Sequence, residues 1–120
     1  MKDDKMIKKN DLTEYFFQGI KLKNNLKIGV EHEKFVLNKD TLKPVTYEEK
    51  NGIRDILEKF VSLGWSPAYD NNQETIIALK KGREAITLEP GGQIELSGAP
   101  LDNLHETCEE TTNHLNEYKK

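Results

Sequence analysis

Cysteine is almost missing from this chain. Cys108 is the only one in 120 residues, so no disulfide can form within it, and a reducing, cytoplasmic location is expected. Long apolar runs are missing too. Nothing approaches the roughly 18 consecutive residues of a membrane span, and the opening MKDDKMIKKN has no apolar segment of the kind a secretory signal needs. Charge of one sign is not in excess. The net charge is −3, with 18 lysines and arginines set against 21 acids, which removes the electrostatic case for a nucleic-acid or membrane partner. Neither a Gly-x-Ser-x-Gly elbow nor a Walker-type phosphate loop occurs; Lys81-Gly82-Arg83 is a turn with basic flanks. His105 and Cys108 stand three apart without a second pair that would complete a zinc site. His32 and His114 are isolated in sequence.

What is present suits one polar domain with a modest core: 35% hydrophobic and 32% charged residues, without repeats or low-complexity tracts. Past a loose leader of about ten residues, Asp11, with Glu14 three positions on, predicts a helix start and a short helix to about Phe17 or Ile20. Residues 28–37 read as a strand. The spacing of Ile53, Ile56, Leu57, Phe60 and Val61 predicts a helix over 47–63, stopped by Gly64. Residues 65–69 are short and can be extended; 74–79 read as a strand, with a tight turn at 80–83. Asp102 reads as the cap of a last helix, on which Leu104, Cys108, Thr111, Leu115 and Tyr118 form one stripe that would bury the thiol. Short links between the later strands favour antiparallel pairing, and the expected class is α+β, helices packed on an antiparallel sheet.

Two groups of residues can carry chemistry. In residues 84–100, EAITLEPGGQIELSGAP, a Pro-Gly-Gly turn separates two alternating runs. Ile86 and Leu88 point one way in the first, Ile94 and Leu96 in the second. The opposite face collects Thr87, Glu89, Gln93, Glu95 and Ser97, with no lysine anywhere in the segment. Glu89 and Glu95 flank the turn and can lie across from each other. Like charges so placed destabilise a sheet, unless a cation or an ammonium group sits between them. A register in which they miss each other and face water is the equally good plain reading. The second group is Glu31-His32-Glu33. On a strand the two acids share a face, with Cα atoms roughly 6.5 Å apart. Two such charges about 4 Å apart repel by about 4 kcal/mol at an intermediate dielectric. A divalent cation such as Mg²⁺ removes that repulsion and gains two hard oxygen ligands. Alone, the tripeptide reads more readily as a solvated strand edge.

Together these residues resemble a family. IGVEHEKF from Ile28 to Phe35, then ITLEPGGQIELSGAP from Ile86 to Pro100, then Leu104-His105-Glu106-Thr107-Cys108-Glu109-Glu110 and His114-Leu115, are similar to the glutamate–cysteine ligases of the plant and proteobacterial type. The resemblance runs from about Lys27 to Lys120. It divides the chain into a leader with a short helix (1–26) and the N-terminal portion of a ligase catalytic domain (27–120). It implies a glutamine synthetase-like fold, whose antiparallel sheet forms an acid-lined, metal-binding funnel. It also implies the first step of glutathione synthesis: nucleotide-binding and ATP- and Mg²⁺-dependent ligation of the γ-carboxylate of L-glutamate to L-cysteine through a γ-glutamyl phosphate. Glu31, Glu33 and Glu95 resemble the family's metal-binding glutamates. Glu89 is a fourth, on a metal or near a substrate amine; Gln93 and Ser97 are placed to hydrogen-bond substrate. No catalytic residue is assigned. Cys108 resembles one partner of a regulatory disulfide whose other half lies outside this chain. Because such ligases are several times longer, most of the ATP site and the groups gripping the α-carboxylate are expected beyond Lys120. The 120 residues are then expected to be inactive alone. A related ligase using another amine, and a non-catalytic module, are the alternatives.

Overall fold

The computed structural model describes residues 6–119. In chain order the elements are α1 (Lys9–Gln18), a 3₁₀ turn (Lys23–Asn25), β1 (Glu31–Lys34), α2 (Ile53–Ser62), β2 (Ser66–Tyr69), β3 (Ile76–Lys81), β4 (Glu84–Glu89), β5 (Gln93–Ser97) and α3 (Leu104–Glu117). The five strands form one antiparallel sheet in the order β1-β5-β4-β3-β2. The expected α+β class is what forms. Strands β2 to β5 are a meander, and β1 returns from early in the chain to pair with β5.

Alternation along the strands sorts the sheet into two faces. Leu79, Ile86, Ile94 and Leu96 point to the side that carries the helices and are completely buried there. They pack with Ile76, Trp65 and the α2 residues Ile53, Leu57 and Phe60 in one core. Of the α2 stripe, Ile53, Leu57 and Phe60 are buried, while Ile56 and Val61 are only partly so.

The predicted element ends are where the structure departs most. The helix expected from Tyr47 begins only at Ile53. Asn51 takes a positive φ of 60° and Gly52 is extended, which breaks the helix before it starts. The residues ahead make other bonds: Tyr47 Oη donates to the Ile76 carbonyl at 2.8 Å. The strand expected over 28–37 pairs with β5 only from Glu31 to Lys34; outside it, Ile28 and Leu37 make single bridges to Leu101 and Pro44. Asp11 is not the cap of α1, which starts at Lys9; its Oδ2 accepts from the Lys8 amide at 2.8 Å. The ten-residue leader is therefore shorter than expected, and of it residues 1–5 lie outside the described part. α1 buries none of its residues.

The apolar stripe expected on α3 is corrected as well. Asn103, not Asp102, caps the helix, accepting from the amides of His105 and Glu106 at 3.0 and 3.1 Å. The face turned to the sheet is Thr107, Glu110 and His114, while Cys108 is exposed. Hydropathy pointed to the wrong face because these polar side chains are largely satisfied in place or packed as rings. Thr107 Oγ1 donates to the Leu104 carbonyl at 2.8 Å, and Glu110 accepts a backbone amide. The His114 ring stacks on Phe60, centroids 5.8 Å apart, and meets Tyr118 edge-on at 4.9 Å. His32 and His114, far apart in sequence, come within 6.3 Å.

Neither ring nitrogen of His114 finds a hydrogen-bond partner. Burial, then the charge of Lys34, outweighs the nearby Glu117 carboxylate and pulls the imidazole from 6.5 down to about 4. The folded chain therefore holds His114 neutral, while the unfolded chain protonates it below pH 6.5. The contribution to stability is complete above that value and is lost as pH falls toward about 4. Urea unfolding across pH 4–7 should show wild type losing more stability on acidification than His114→Leu. Parallel curves for the two proteins would contradict this.

Candidate functional site

The face of the sheet opposite the helices is the candidate site, and the pairing register arranges it in rows. One row reads Glu31, Ser97, Ala85, Lys80, Ser66 across the sheet. The next reads Glu33, Glu95, Thr87, Ala78, Ala68. Beyond these, Gln93 stands opposite Glu89 beside the turn. Acids thus gather at the β1–β5–β4 side, while Lys80 and the small side chains of Ala78, Ser66 and Ala68 occupy the rest.

The turn that makes this possible has demanding backbone geometry. Gly91 and Gly92 take φ of 80° and 75°, and the Gly92 amide donates to the Glu89 carbonyl at 3.0 Å. Proline second and a positive φ third are the requirements of a type II turn.

All six residues singled out from the sequence lie on this face, but their partners differ from expectation. Glu89 and Glu95 do not oppose each other: Glu89 faces Gln93, and Glu95 faces Thr87 on that side. A three-residue turn sets this register. The direct carboxylate pair is Glu33 with Glu95, across β1 and β5, which no local reading of either segment can find. Glu31 is one step along β1, opposite Ser97. Glu95 is buried at 9% exposure, whereas Glu31 and Glu33 are exposed. Ser97 Oγ donates to Glu95 Oε1 at 2.9 Å and fixes that carboxylate. Gln93 Nε2 reaches the Pro90 carbonyl at 3.4 Å, within the turn.

Among the described residues no three His, Cys, Asp or Glu side chains converge closely enough to hold a metal ion by themselves. The donor chemistry of Glu33 and Glu95 nonetheless fits Mg²⁺, which takes one or two carboxylates and completes its shell with water and phosphate oxygens. What the pair can do without help is repel, since like charges directly opposite weaken a sheet.

Sequence reasoning also passed over the residues behind this face. His32 and Lys34 point from β1 to the covered side. Burial lowers the pKa of both from their ordinary values, and Lys34 lowers that of His32 further. Lys34 Nζ lies 5.1 Å from the centre of the Tyr118 ring. Burial and Glu117 push the Tyr118 hydroxyl up to about 12. An alternating strand always carries such a second set, but its partners come from α3 and are invisible locally.

Residues 27–120 match the model of the family described as glutamate-cysteine ligase family 2 (GCS2). The chain is 47% identical over 112 residues to glutamate–cysteine ligase A, chloroplastic, of Oryza sativa subsp. japonica, covering 92% of this chain and 22% of that protein. Identity to the chloroplastic glutamate–cysteine ligase of Medicago truncatula is 44% over 112 residues, covering 92% and 21%. To that of Arabidopsis thaliana it is 43% over 115 residues, covering 92% and 20%. The chain thus spans about a fifth of the length of the curated relatives it matches. These relatives are chloroplastic, which overturns the cytoplasmic expectation. A lone thiol excludes an internal disulfide but does not distinguish one reducing compartment from another. Among the described residues no helix is long and apolar enough to cross a membrane.

The Glu33–Glu95 pair predicts that, without metal, Glu33→Gln raises the stability of the chain at pH 7 by roughly 0.2–1 kcal/mol. The gain should shrink in 1 M salt, which screens the repulsion. Chemical denaturation at low and high salt measures both effects.

Proposed function

Since this chain belongs to glutamate-cysteine ligase family 2, we propose that its acidic sheet face is one wall of the site where L-glutamate is activated by ATP and joined to L-cysteine. In this reading residues 27–120 are the N-terminal portion of the catalytic domain, part of a glutamine synthetase-like funnel, and residues 1–26 precede it. The observation that carries the reading is the placement of Glu33 directly opposite Glu95 on the uncovered face, in line with the Ser97 hydroxyl.

The reaction is phosphoryl transfer followed by acyl transfer. The γ-carboxylate of glutamate takes the γ-phosphoryl group of ATP, and the cysteine amine then displaces phosphate from the acyl phosphate. Bound Mg²⁺ would supply charge neutralisation, allowing an anionic carboxylate to approach an anionic phosphate. The chain's own residues provide its anchorage: Glu33 and Glu95 as the opposed pair, Glu31 one step along the same strand, and Glu89 across the turn. Ser97 holds one oxygen of Glu95 and so fixes the direction of the other. Gln93 offers a side-chain amide beside Glu89, placed for polar groups of a substrate. Preset groups of this kind contribute most when they need no rearrangement as charge develops.

The relatives' greater length supports a second part of the proposal: nucleotide and α-carboxylate contacts come from residues outside these 120, so the chain alone is inactive. A family member acting on a different amine is separated by the same assay. Phosphate release from ATP should require L-glutamate and L-cysteine together in a protein that contains this segment and the rest of the domain. The 120 residues alone should release none. Cysteine-dependent release by the isolated chain overturns the claim of incompleteness, and preference for another amine reassigns the acceptor. Replacing either Glu33 or Glu95 by Gln in the complete domain should lower kcat/KM at least a hundredfold at limiting Mg²⁺, with partial recovery at high Mg²⁺. Unchanged kinetics in both variants would remove the pair from the site.

A further inference from the structure

Glu110 is a carboxylate buried away from the acidic face, on the sheet-facing side of α3, at 8% exposure. Its Oε1 accepts the amide of Ala99 at 2.7 Å. Its Oε2 is buried with no hydrogen-bond partner. Beneath it the chain leaves β5 through Gly98, whose amide donates to the Val30 carbonyl at 2.8 Å. A Cβ at Gly98 would overlap the Glu110 carboxylate and crowd that same Val30 carbonyl, so only glycine lets the three segments meet. Burial, and after it the charge of Glu110, raises the pKa of Glu84 on β4. Burying a half-satisfied carboxylate beside another acid costs stability. An apolar side chain could cover Gly98 and Ala99 at less cost, but it would not hold that segment in one direction.

Val30 and Gly98 directly precede and follow Glu31 and Ser97, the paired residues at the end of the acidic rows. We propose that Glu110 is a positioning residue: by holding Ala99, it locks Gly98 onto Val30 and so sets the β1–β5 register that puts Glu31 beside Ser97 and Glu33 beside Glu95. The link to metal affinity rests on the function proposed above; the link to the register does not.

The test uses the 120-residue chain with Glu110→Ala, Glu110→Gln and, as control, Glu109→Ala on the exposed side of α3. Amide hydrogen exchange by NMR reads the register, and Mn²⁺ titration by electron paramagnetic resonance reads the face. In Glu110→Ala the Gly98 amide should exchange at least tenfold faster while the β3–β4 ladder keeps wild-type protection. Mn²⁺ affinity should fall at least fivefold. Glu110→Gln keeps an acceptor for Ala99 and should restore both; Glu109→Ala should change neither. If Glu110→Ala does not fold, Glu110→Asp, one methylene too short to reach Ala99, should give the same local pattern. Uniform loss of protection across the sheet, no change at Gly98, or a Gln variant as impaired as the Ala variant would overturn the proposal. If wild type takes up no Mn²⁺, the metal reading of the face fails, and the exchange pattern still decides the role of Glu110.

Discussion

A sheet with one buried face cannot slip by a single residue, because the slip would turn every apolar side chain into water. Leu79, Ile86, Ile94 and Leu96, all fully buried against α2 and Trp65, impose that constraint here. Everything on the other face inherits it. Glu95 stands between the buried Ile94 and Leu96, so a packing interaction on one side of the sheet aims a carboxylate on the other. The part of the acidic rows carried by β4 and β5 is therefore fixed by the core beneath it.

The weaker joint is β1. It pairs over only four residues, at the sheet edge, and its flanks make single bridges. Yet it supplies Glu31 and Glu33, two of the six candidate residues. The molecule secures it from several directions. Lys27 pairs with Asp102 and Ile28 bridges Leu101, tying its entry to the start of α3. Val30 takes the Gly98 amide. His32 and Lys34 reach back toward the rings of His114 and Tyr118. The polar residues on the buried side of α3 gather around this strand and give that helix a purpose beyond covering the core.

Mutual repulsion of Glu33 and Glu95 opposes the β1–β5 pairing in the absence of a cation, while the α3 contacts hold it together. An edge strand loaded with like charge is also poorly suited to pairing with another chain. The same acids that would anchor a metal thus discourage edge-to-edge association.

Period-two alternation and a Pro-Gly-Gly turn were enough to read β4, β5 and their polar face from the sequence, because both signals act within a few residues. The α2 stripe and the α+β class were legible for the same reason. Local patterns misjudged the ends of α2 and β1, where Asn51 and the limited length of β5 decide. They also misjudged the buried side of α3, where Glu110 takes the Ala99 amide and His114 packs on Phe60, leaving Cys108 outside. That Glu31, Glu33, Glu89, Gln93, Glu95 and Ser97 lie on the polar faces of their strands was therefore legible in the sequence alone. Which of them face one another was decided only by tertiary structure, since the pairing of β1 with β5 joins segments some sixty residues apart, and long-range contacts of that kind leave no periodic trace in either segment.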